Sequence, residues 1–231
     1  MEKASCGTAI GEEIMKIAYF DCFSGISGDM VLGALIDAGL CLETLLEELD
    51  KLELPGLTLT QERVVRQAVA GTYVKVHLCG SPVEAENEHH FIPVAPREQP
   101  SGALLRTPQA ASNQHEHNRL EDILSLIEKS RLDESTRTQS IAIFHRLAQA
   151  EAEVHGVPVD QVHLHEVGAL DAVVDIVGCV AGLRLLGVEK IYASPLHFGT
   201  GFVRCAHGRY PVPVPGVLAL CRNVPSIQTD I

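Results

Sequence analysis

Histidines and carboxylates lie close together in the segment HLHEVGALDAVVD. His163 and His165 would point to the same face of a strand, because successive side chains alternate between faces. Asp171 and Asp175 would share a face of the helix predicted to follow, because they are four residues apart. Imidazole binds borderline transition metals such as Ni²⁺ and Zn²⁺. The segment therefore predicts a metal site built from these side chains, with Glu166 at the end of the strand as a further ligand.

The acidic helix face in this segment has two explanations. Two like charges at this spacing destabilise an isolated helix, which indicates a compensating cation. Gly178 and Gly182 continue the face with minimal bulk, a pattern that is hard to explain as core packing. The alternative is a solvated helix face beside one or two hydrogen-bonded core histidines, because local charges are often simply exposed.

A second motif, DCFSGISGDM, spans residues 21–30. A strand, a Gly/Ser turn and a helix N-terminus in this order would gather backbone N–H groups in one concavity, which favours anions such as phosphate. Its aspartates repel phosphate but can hold Mg²⁺, Mn²⁺ or Ni²⁺, and a metal could bridge carboxylate and phosphate. The alternative is an ordinary turn in which Ser27 or Asp29 caps the helix. The motif lacks the G-K-[ST] ending of a Walker loop. The candidate nucleotide- or phosphate-binding residues are Ser24, Gly25, Ser27, Gly28 and Asp29.

Two further segments add candidate metal ligands. His115 and His117 precede a predicted helix and could supply a second pair of ligands, although exposed histidines are frequent in polar loops. His207 could offer a ligand beside an anion-binding arginine, or form part of a rigid proline-rich rim. Catalytic residues stay unassigned. The chain has no G-x-S-x-G nucleophile elbow, and Cys22 is predicted to be buried in a strand.

The composition excludes several classes of function. The chain of 231 residues has a formal net charge of −12, which argues against nucleic-acid binding, since that needs a basic face. It has no tryptophan and only 4% aromatic residues, so stacking surfaces for single-stranded nucleic acid are not expected either. No apolar run is long enough to span a membrane. Seven widely spaced cysteines and no secretory signal predict a cytoplasmic protein without a disulfide framework.

The elements that must position these residues mix helices and strands, and they predict an α+β fold. A small β-α-α-β-β domain is predicted over residues 15–80, then a flexible His- and Pro-rich linker over 81–117 and a second α+β domain over 118–231. Residues 1–14 are predicted to be a non-structural extension. The predicted strands span 16–23, 57–65, 72–79, 161–167, 191–198 and 202–206, and the first of them is expected to be buried. The predicted helices span 41–52, 134–155 and 168–186, with others ending at Gly39 and beginning at Asn118.

Apolar residues at helical spacing predict which face of a helix is buried. The predicted buried faces are Leu32, Leu35, Ile36 and Gly39 in the first helix, Leu42, Leu45, Leu46 and Leu49 in 41–52, Ile143, Leu147, Ala150 and Val154 in 134–155, and Leu170, Val173, Val174, Val177 and Ala181 in 168–186.

Four motifs resemble the LarC-type nickel insertion proteins. They are YFDCFSGISGDM, HEHNRLEDI, VHLHEVGALDAVVDIVG and HGRYPVPVP, and the resemblance covers nearly the whole chain from Met15 onward. Members of that family install nickel in pyridinium-3,5-bisthiocarboxylic acid mononucleotide, which completes the nickel-pincer nucleotide cofactor of lactate racemase and related enzymes. The resemblance therefore implies a lyase-class nickel insertase that depends on CTP and on Mn²⁺ or Mg²⁺.

The resemblance also implies roles for the candidate site residues. Nickel would move from imidazole and carboxylate ligands to the sulfur and carbon donors of the nucleotide, which hold it more tightly. The expected transient ligands are His163, His165 and His115 or His117. Asp171 and Asp175 would support them or hold a second cation, and the turn from Ser24 to Asp29 would contact a nucleotide phosphate.

The chain stops at Ile231, before the place where the family has a further C-terminal domain. It resembles the N-terminal part of the family, and the CTP site is expected in the C-terminal part, so insertion is expected to need both. The sequence leaves oligomerisation open. It also leaves two other functions open: a non-catalytic nickel-binding delivery module that uses the same histidines, and a metal-dependent nucleotide phosphohydrolase that uses Asp21 and Asp29.

Overall fold

A computed structural model describes residues 15–66, 68–78, 119–162, 164, 170–205 and 208–229. These residues form a mixture of helices and strands, which is compatible with the predicted α+β class. The helices are α1 (Gly28–Asp37), α2 (Leu42–Leu49), α3 (Leu120–Lys129), α4 (Glu134–His155), α5 (Leu170–Leu185) and α6 (Pro215–Leu220). The strands are β1 (Ile17–Phe20), β2 (Thr58–Arg66), β3 (Val69–His77), β4 (Lys190–Ala193), β5 (Leu196–Phe198), β6 (Phe202–Cys205), β7 (Gly208–Pro211) and β8 (Ser226–Gln228).

The apolar faces predicted for α1, α2 and α5 are the faces that the structure buries. Apolar residues three and four apart lie on one side of a helix, and here that side faces the core. Gly39 ends α1 as predicted: its φ of +107° suits glycine, and the following Leu40 N–H donates to the Leu35 carbonyl at 3.0 Å. The buried apolar residues of these helices are Leu32, Leu35, Leu45, Leu49, Val173, Val174, Val177 and Ala181.

The face predicted for α4 is wrong. Ile143 and Val154 were expected in the core with Leu147 and Ala150, but they are 39% and 40% exposed. The buried side is instead a row spaced every four residues in which most side chains are small or polar, so apolar periodicity does not reveal it. This row consists of Thr136, Ser140, Phe144 and Ala148. One of its hydroxyls, that of Thr136, accepts a hydrogen bond at 3.1 Å from Nε of Arg184 on α5.

The strands pair two by two within the described residues. β2 and β3 form a long antiparallel hairpin, and β6 and β7 form a second one. β1 pairs with β4 and β5 pairs with β8, both in parallel, so these pairings join distant parts of the chain. The strand predicted over 191–198 is thus divided into β4 and β5, each with its own partner.

The first strand is less buried than predicted. Ile17 and Tyr19 are 51% and 65% exposed, whereas Ala18 and Phe20 on the other face are half-buried. Cys22, predicted to be buried in this strand, is buried but lies just after it. The apolar run therefore marks a strand with one open face, which an unbroken hydrophobic pattern does not distinguish from a strand buried on both faces.

One hydrophobic core contains side chains from both sides of residues 79–118. Glycines allow neighbouring helices and strands to pack closely around this core. A Cβ on Gly33 would stand 2.1 Å from the carbonyl oxygen of Thr72 in β3, so only glycine allows α1 to approach the hairpin this closely. Gly178 and Gly182 of α5 are buried against leucines of α1. The proposed domain boundaries stay a prediction.

Several predicted segments fall outside the described residues. They include the extension over 1–14, the whole linker over 81–117, and most of the strand over 161–167. Of that strand, Gln161 ends a short 3₁₀ turn, and Val162 and Leu164 are buried. Within the part of the chain that the structure describes, no helix is long and apolar enough to cross a membrane.

Candidate functional site

The Gly/Ser turn before α1 lies directly against the acidic end of α5. A Cβ built on Gly28 would stand 2.8 Å from both the Cβ and the Oδ2 atoms of Asp175. The two motifs that the sequence presents separately therefore meet at one place. Because Gly28 has no side chain, the Asp175 carboxyl reaches the backbone at the first turn of α1.

Backbone hydrogen bonds fix the turn on its other side. The Cys22 N–H donates to Oγ of Ser194 at 2.8 Å, and the Gly25 N–H donates back to the Cys22 carbonyl at 3.1 Å. Gly25 has a φ of +84°, which favours glycine, and a Cβ there would lie 3.7 Å from the carbonyl oxygen of His197. The turn is thus held between α5 and the chain that leads from β4 into β5.

Ser27 occupies the N-cap position of α1, but among the described residues its side chain makes no capping bond, whereas the turn alternative expected Ser27 or Asp29 to cap the helix. Its hydroxyl donates instead to Oδ1 of Asp29 at 2.5 Å. Free N–H groups at a helix N-terminus attract anions. This end of α1 therefore combines anion-attracting amides with a half-buried carboxylate.

The Asp175 carboxyl has strongly altered acidity. Burial, together with the negative charges of Asp29 and Asp171, raises its pKa from 3.8 to about 7. Near neutral pH this carboxyl is therefore protonated in a large fraction of the molecules. A bound cation would remove the repulsion among the three carboxylates and displace that proton.

Cys179 lies one helical turn after Asp175 and belongs to the same neighbourhood. Its thiol donates to the Gly28 carbonyl at 3.5 Å. Burial, together with the charges of Asp175 and Asp29, raises the pKa of this thiol to about 12. Cys179 is therefore a protonated thiol at neutral pH, which is a poor nucleophile and a poor metal ligand in that form.

The structure brings together only part of the predicted site. Gly28 contacts Asp175, and the charges of Asp29 and Asp171 lie close enough to raise the pKa of Asp175, although Asp171 itself is exposed. The nearby glycines were interpreted wrongly: Gly178 packs against Leu32 rather than lining the acidic face, and Gly182 is buried in the same way. The other predicted ligands lie outside the described residues: His115, His117, His163, His165, Glu166 and His207. Among the residues that are described, no three or more His, Cys, Asp or Glu side chains are grouped to hold a metal ion.

Sequence reasoning missed two residues near the turn. Cys179 could have been found, because it extends the four-residue spacing of Asp171 and Asp175. His197 has no comparable signal. Its carbonyl lies beside Gly25, and its buried Nδ1 atom has no hydrogen-bond partner among the described residues. The parallel pairing of β1 with β4 brings it here, because β1 leads into the turn and β4 leads into β5.

Known proteins place the chain in a family. A family model described as nickel insertion protein matches residues 18–231. A curated relative from Desulfitobacterium hafniense, named pyridinium-3,5-bisthiocarboxylic acid mononucleotide nickel insertion protein, is 42% identical over 217 residues, which cover 94% of this chain and 46% of the relative. Relatives of the same name from Geobacillus kaustophilus and Acetivibrio thermocellus are 40% and 41% identical over 94% of this chain and 47% and 48% of their own lengths.

The chain spans about half the length of the curated relatives it matches. No solved structure matches it significantly. The family match extends over the turn before α1, the acidic end of α5 and the strands beside them. The chain belongs to the nickel insertion protein family.

Proposed function

We propose that this chain takes part in inserting Ni²⁺ into pyridinium-3,5-bisthiocarboxylic acid mononucleotide, to form the nickel-pincer nucleotide cofactor of lactate racemase-type enzymes. The observation that carries the proposal is the contact between Gly28 and Asp175 in a chain of the nickel insertion family. This contact places an acidic cluster beside the open N-terminus of a helix. The carboxylates would bind a cation, and the backbone amides of the helix N-terminus would bind a nucleotide phosphate.

Charge explains why the cation and the phosphate would bind together. A phosphate alone would meet the carboxylates of Asp29 and Asp175, which repel it. Ni²⁺ bound at those carboxylates would cancel the repulsion, and the amides at the start of α1 would then hold the phosphate. Nickel and nucleotide binding are therefore expected to strengthen each other.

The histidines complete the proposal. We assign His163, His165 and His115 or His117 as transient Ni²⁺ ligands, with Glu166 and His207 as further candidates. Imidazole and carboxylate bind nickel less tightly than the sulfur and carbon donors of the nucleotide do. Transfer from protein to nucleotide would then be favourable, and the protein would be free for another nickel ion.

The proposal also assigns a role to the C-terminal part of the relatives, which this chain does not match. The reaction would be of the lyase class and would depend on CTP with Mn²⁺ or Mg²⁺ bound by the C-terminal part of the family. It would take place in the cytoplasm. Because this chain corresponds to about half of the relatives, insertion is expected to require that second part as a partner.

A transfer assay tests the function. This chain, with the second half of the Desulfitobacterium relative joined to it, is incubated with nickel, the nucleotide and MnCTP, and nickel in the nucleotide is measured by mass spectrometry. We expect insertion, with at least a tenfold loss in Asp29→Asn and Asp175→Asn. Glu128→Gln is the matched control, because Glu128 is an exposed acid on α3.

The alternatives give different results in the same assay. Nickel that binds but never enters the nucleotide would support a delivery module and contradict insertion. Phosphate release from CTP by this chain alone, abolished by Asp29→Asn, would instead support a phosphohydrolase.

A further inference from the structure

The parallel pair of β1 and β4 presents an open apolar surface. Residues paired in register lie on the same face of a sheet, so Tyr19 and Tyr192 stand side by side, and Ile17 lies next to Lys190. Ile17, Tyr19 and Tyr192 are 51%, 65% and 51% exposed. We call this surface, formed by Ile17, Tyr19, Lys190 and Tyr192, the outer face of the β1–β4 pair.

The other side of β4 is open as well. All four residues of this strand are exposed, and Ile191, on the opposite face from Tyr192, is 55% exposed. Within the described residues each of the two strands has a single partner, so each has one free edge of backbone N–H and C=O groups. Between Ile17 and Phe20, no charged side chain protects the edge of β1.

A surface of this kind is unusual for parallel strands. Parallel sheets occur almost only where both faces are covered, and a two-stranded sheet has little stability of its own. An apolar edge without charge or proline invites the addition of another strand. The β1–β4 pair therefore has the properties of the middle of a larger sheet whose remaining strands come from elsewhere.

We propose that the β1–β4 pair is the docking surface for the second half of the family's polypeptide, which adds one or more strands to a free edge and covers the outer face. The relatives carry about as much chain again outside the match, which is enough to supply both strands and cover. The inference rests on the proposed function only in taking that second half as the partner.

Charge argues against a second copy of this chain as the occupant. Each copy has a formal net charge of −12, so association of two copies would bring two strongly acidic molecules together. A partner with a different charge pattern avoids this repulsion. Tyrosines at the centre of an exposed patch are also typical of residues that contribute strongly to binding.

A cleavable chimera tests the docking surface. This chain is joined to the second half of the Desulfitobacterium relative through a protease site, the junction is cut, and the two pieces are separated by size. No nickel or nucleotide is added, so the result does not depend on insertion activity. We expect the pieces to elute together, and we expect amide exchange in Ile17–Phe20 and Lys190–Ala193 to be roughly tenfold or more slower than in the chain alone.

Two pairs of substitutions decide where the second half docks. Tyr19→Glu with Tyr192→Glu should separate the pieces after cleavage. Val65→Glu with Val69→Glu, at the tip of the β2–β3 hairpin, should not, although these valines are 68% and 73% exposed. All four side chains are exposed, so neither pair of substitutions disturbs the core, and circular dichroism checks the fold of each variant.

Three results would overturn the proposal. The wild-type pieces could separate after cleavage, or they could stay together equally well in both variants. Alternatively, the chain alone could sediment as a dimer that Tyr19→Glu with Tyr192→Glu dissociates, which would make the outer face an interface between copies.

Discussion

Gly28 lies so close to Asp175 that a Cβ on the glycine would stand 2.8 Å from two atoms of the aspartate side chain. This contact joins the start of α1 to the first part of α5, and it places the Asp175 carboxyl against the helix backbone. The same contact contributes to the burial that, together with the charges of Asp29 and Asp171, raises the pKa of Asp175 to about 7. Packing and acidity at the candidate site thus have a common origin.

The first prediction concerns this contact. Gly28→Ala should lower the free energy of unfolding by about 1–3 kcal/mol, because the added methyl group must displace Asp175. Gly71→Ala is the matched control, since a Cβ at Gly71 meets no atom within 4 Å. Urea denaturation of both variants checks the prediction. Equal stability of the two would show that the helix contact is looser than described.

The second prediction concerns the pH dependence of stability. The Asp175 carboxyl has an ordinary pKa of 3.8 and a pKa of about 7 in the folded protein. Between these values the folded state binds more protons than the unfolded state, so the free energy of unfolding should fall as pH rises from about 4 to about 7. Asp175→Asn should remove this contribution and be more stable above pH 7 by about 1–3 kcal/mol, after allowance for solvent screening.

Denaturation curves at several pH values test this sign. Glu128→Gln serves as the control, because it removes an exposed acidic charge far from the α1–α5 contact in sequence. Its stability should follow the wild type at every pH. A wild-type protein that gains stability between pH 4 and 7 relative to Asp175→Asn would contradict the direction of the shift.

The third prediction concerns nickel. Calorimetric titration should show stoichiometric Ni²⁺ binding that weakens at least tenfold in His163→Ala with His165→Ala, because two imidazole donors are lost. His145→Ala is a suitable control, since His145 is exposed on α4. Unchanged binding in the double variant would remove these histidines from the proposed site and leave the other candidate ligands to explain nickel handling.

The fourth prediction concerns Cys179. Its thiol, with a pKa raised to about 12, should resist alkylation at pH 8, whereas the exposed Cys41 should react. Asp175→Asn should speed the labelling of Cys179, because one of the nearby charges that raise its pKa is gone. Mass spectrometry of the labelled peptides measures both rates. Faster labelling of Cys179 than of Cys41 would show that the thiol is neither buried nor protonated as described.

The spacing of apolar residues along the chain predicted those helix faces that are buried because they are apolar. The buried faces of α1 and α5 follow from apolar residues at helical spacing, such as Leu32 with Leu35 and Val173 with Val177. The face of α4 was not predictable in this way, because Thr136 and Ser140 are buried by contact with other helices rather than by their own hydrophobicity. The exposure of Tyr19 was hidden for a related reason, since an apolar strand sequence is the same whether or not a neighbour covers it.

The sequence predicted the acidic face of α5 and the Gly/Ser turn before α1 as separate candidate sites, but it did not predict that the two lie together. The acidic spacing of Asp171 and Asp175 and the glycines of the turn are visible in the sequence, and each half was identified. Their meeting depends on the packing of α1 against α5, a long-range contact with no local signal. The same holds for His197, which reaches the turn through the long-range pairing of β1 with β4. The predicted histidine ligands of nickel stay a prediction.

The two glycine contacts of α1 have a mechanical consequence. Gly28 lies against α5, and Gly33 lies against the carbonyl of Thr72 in the hairpin. The helix is therefore in close contact with a neighbouring element at each of these two points. At its far end, the Asp37 carboxylate accepts hydrogen bonds from the Thr72 N–H at 3.0 Å and from the Thr72 hydroxyl at 2.8 Å. Close-packed contacts leave little room for sliding. α1 is therefore fixed in position against both α5 and the hairpin, so the backbone amides at its N-terminus keep a constant position relative to the Asp175 carboxyl.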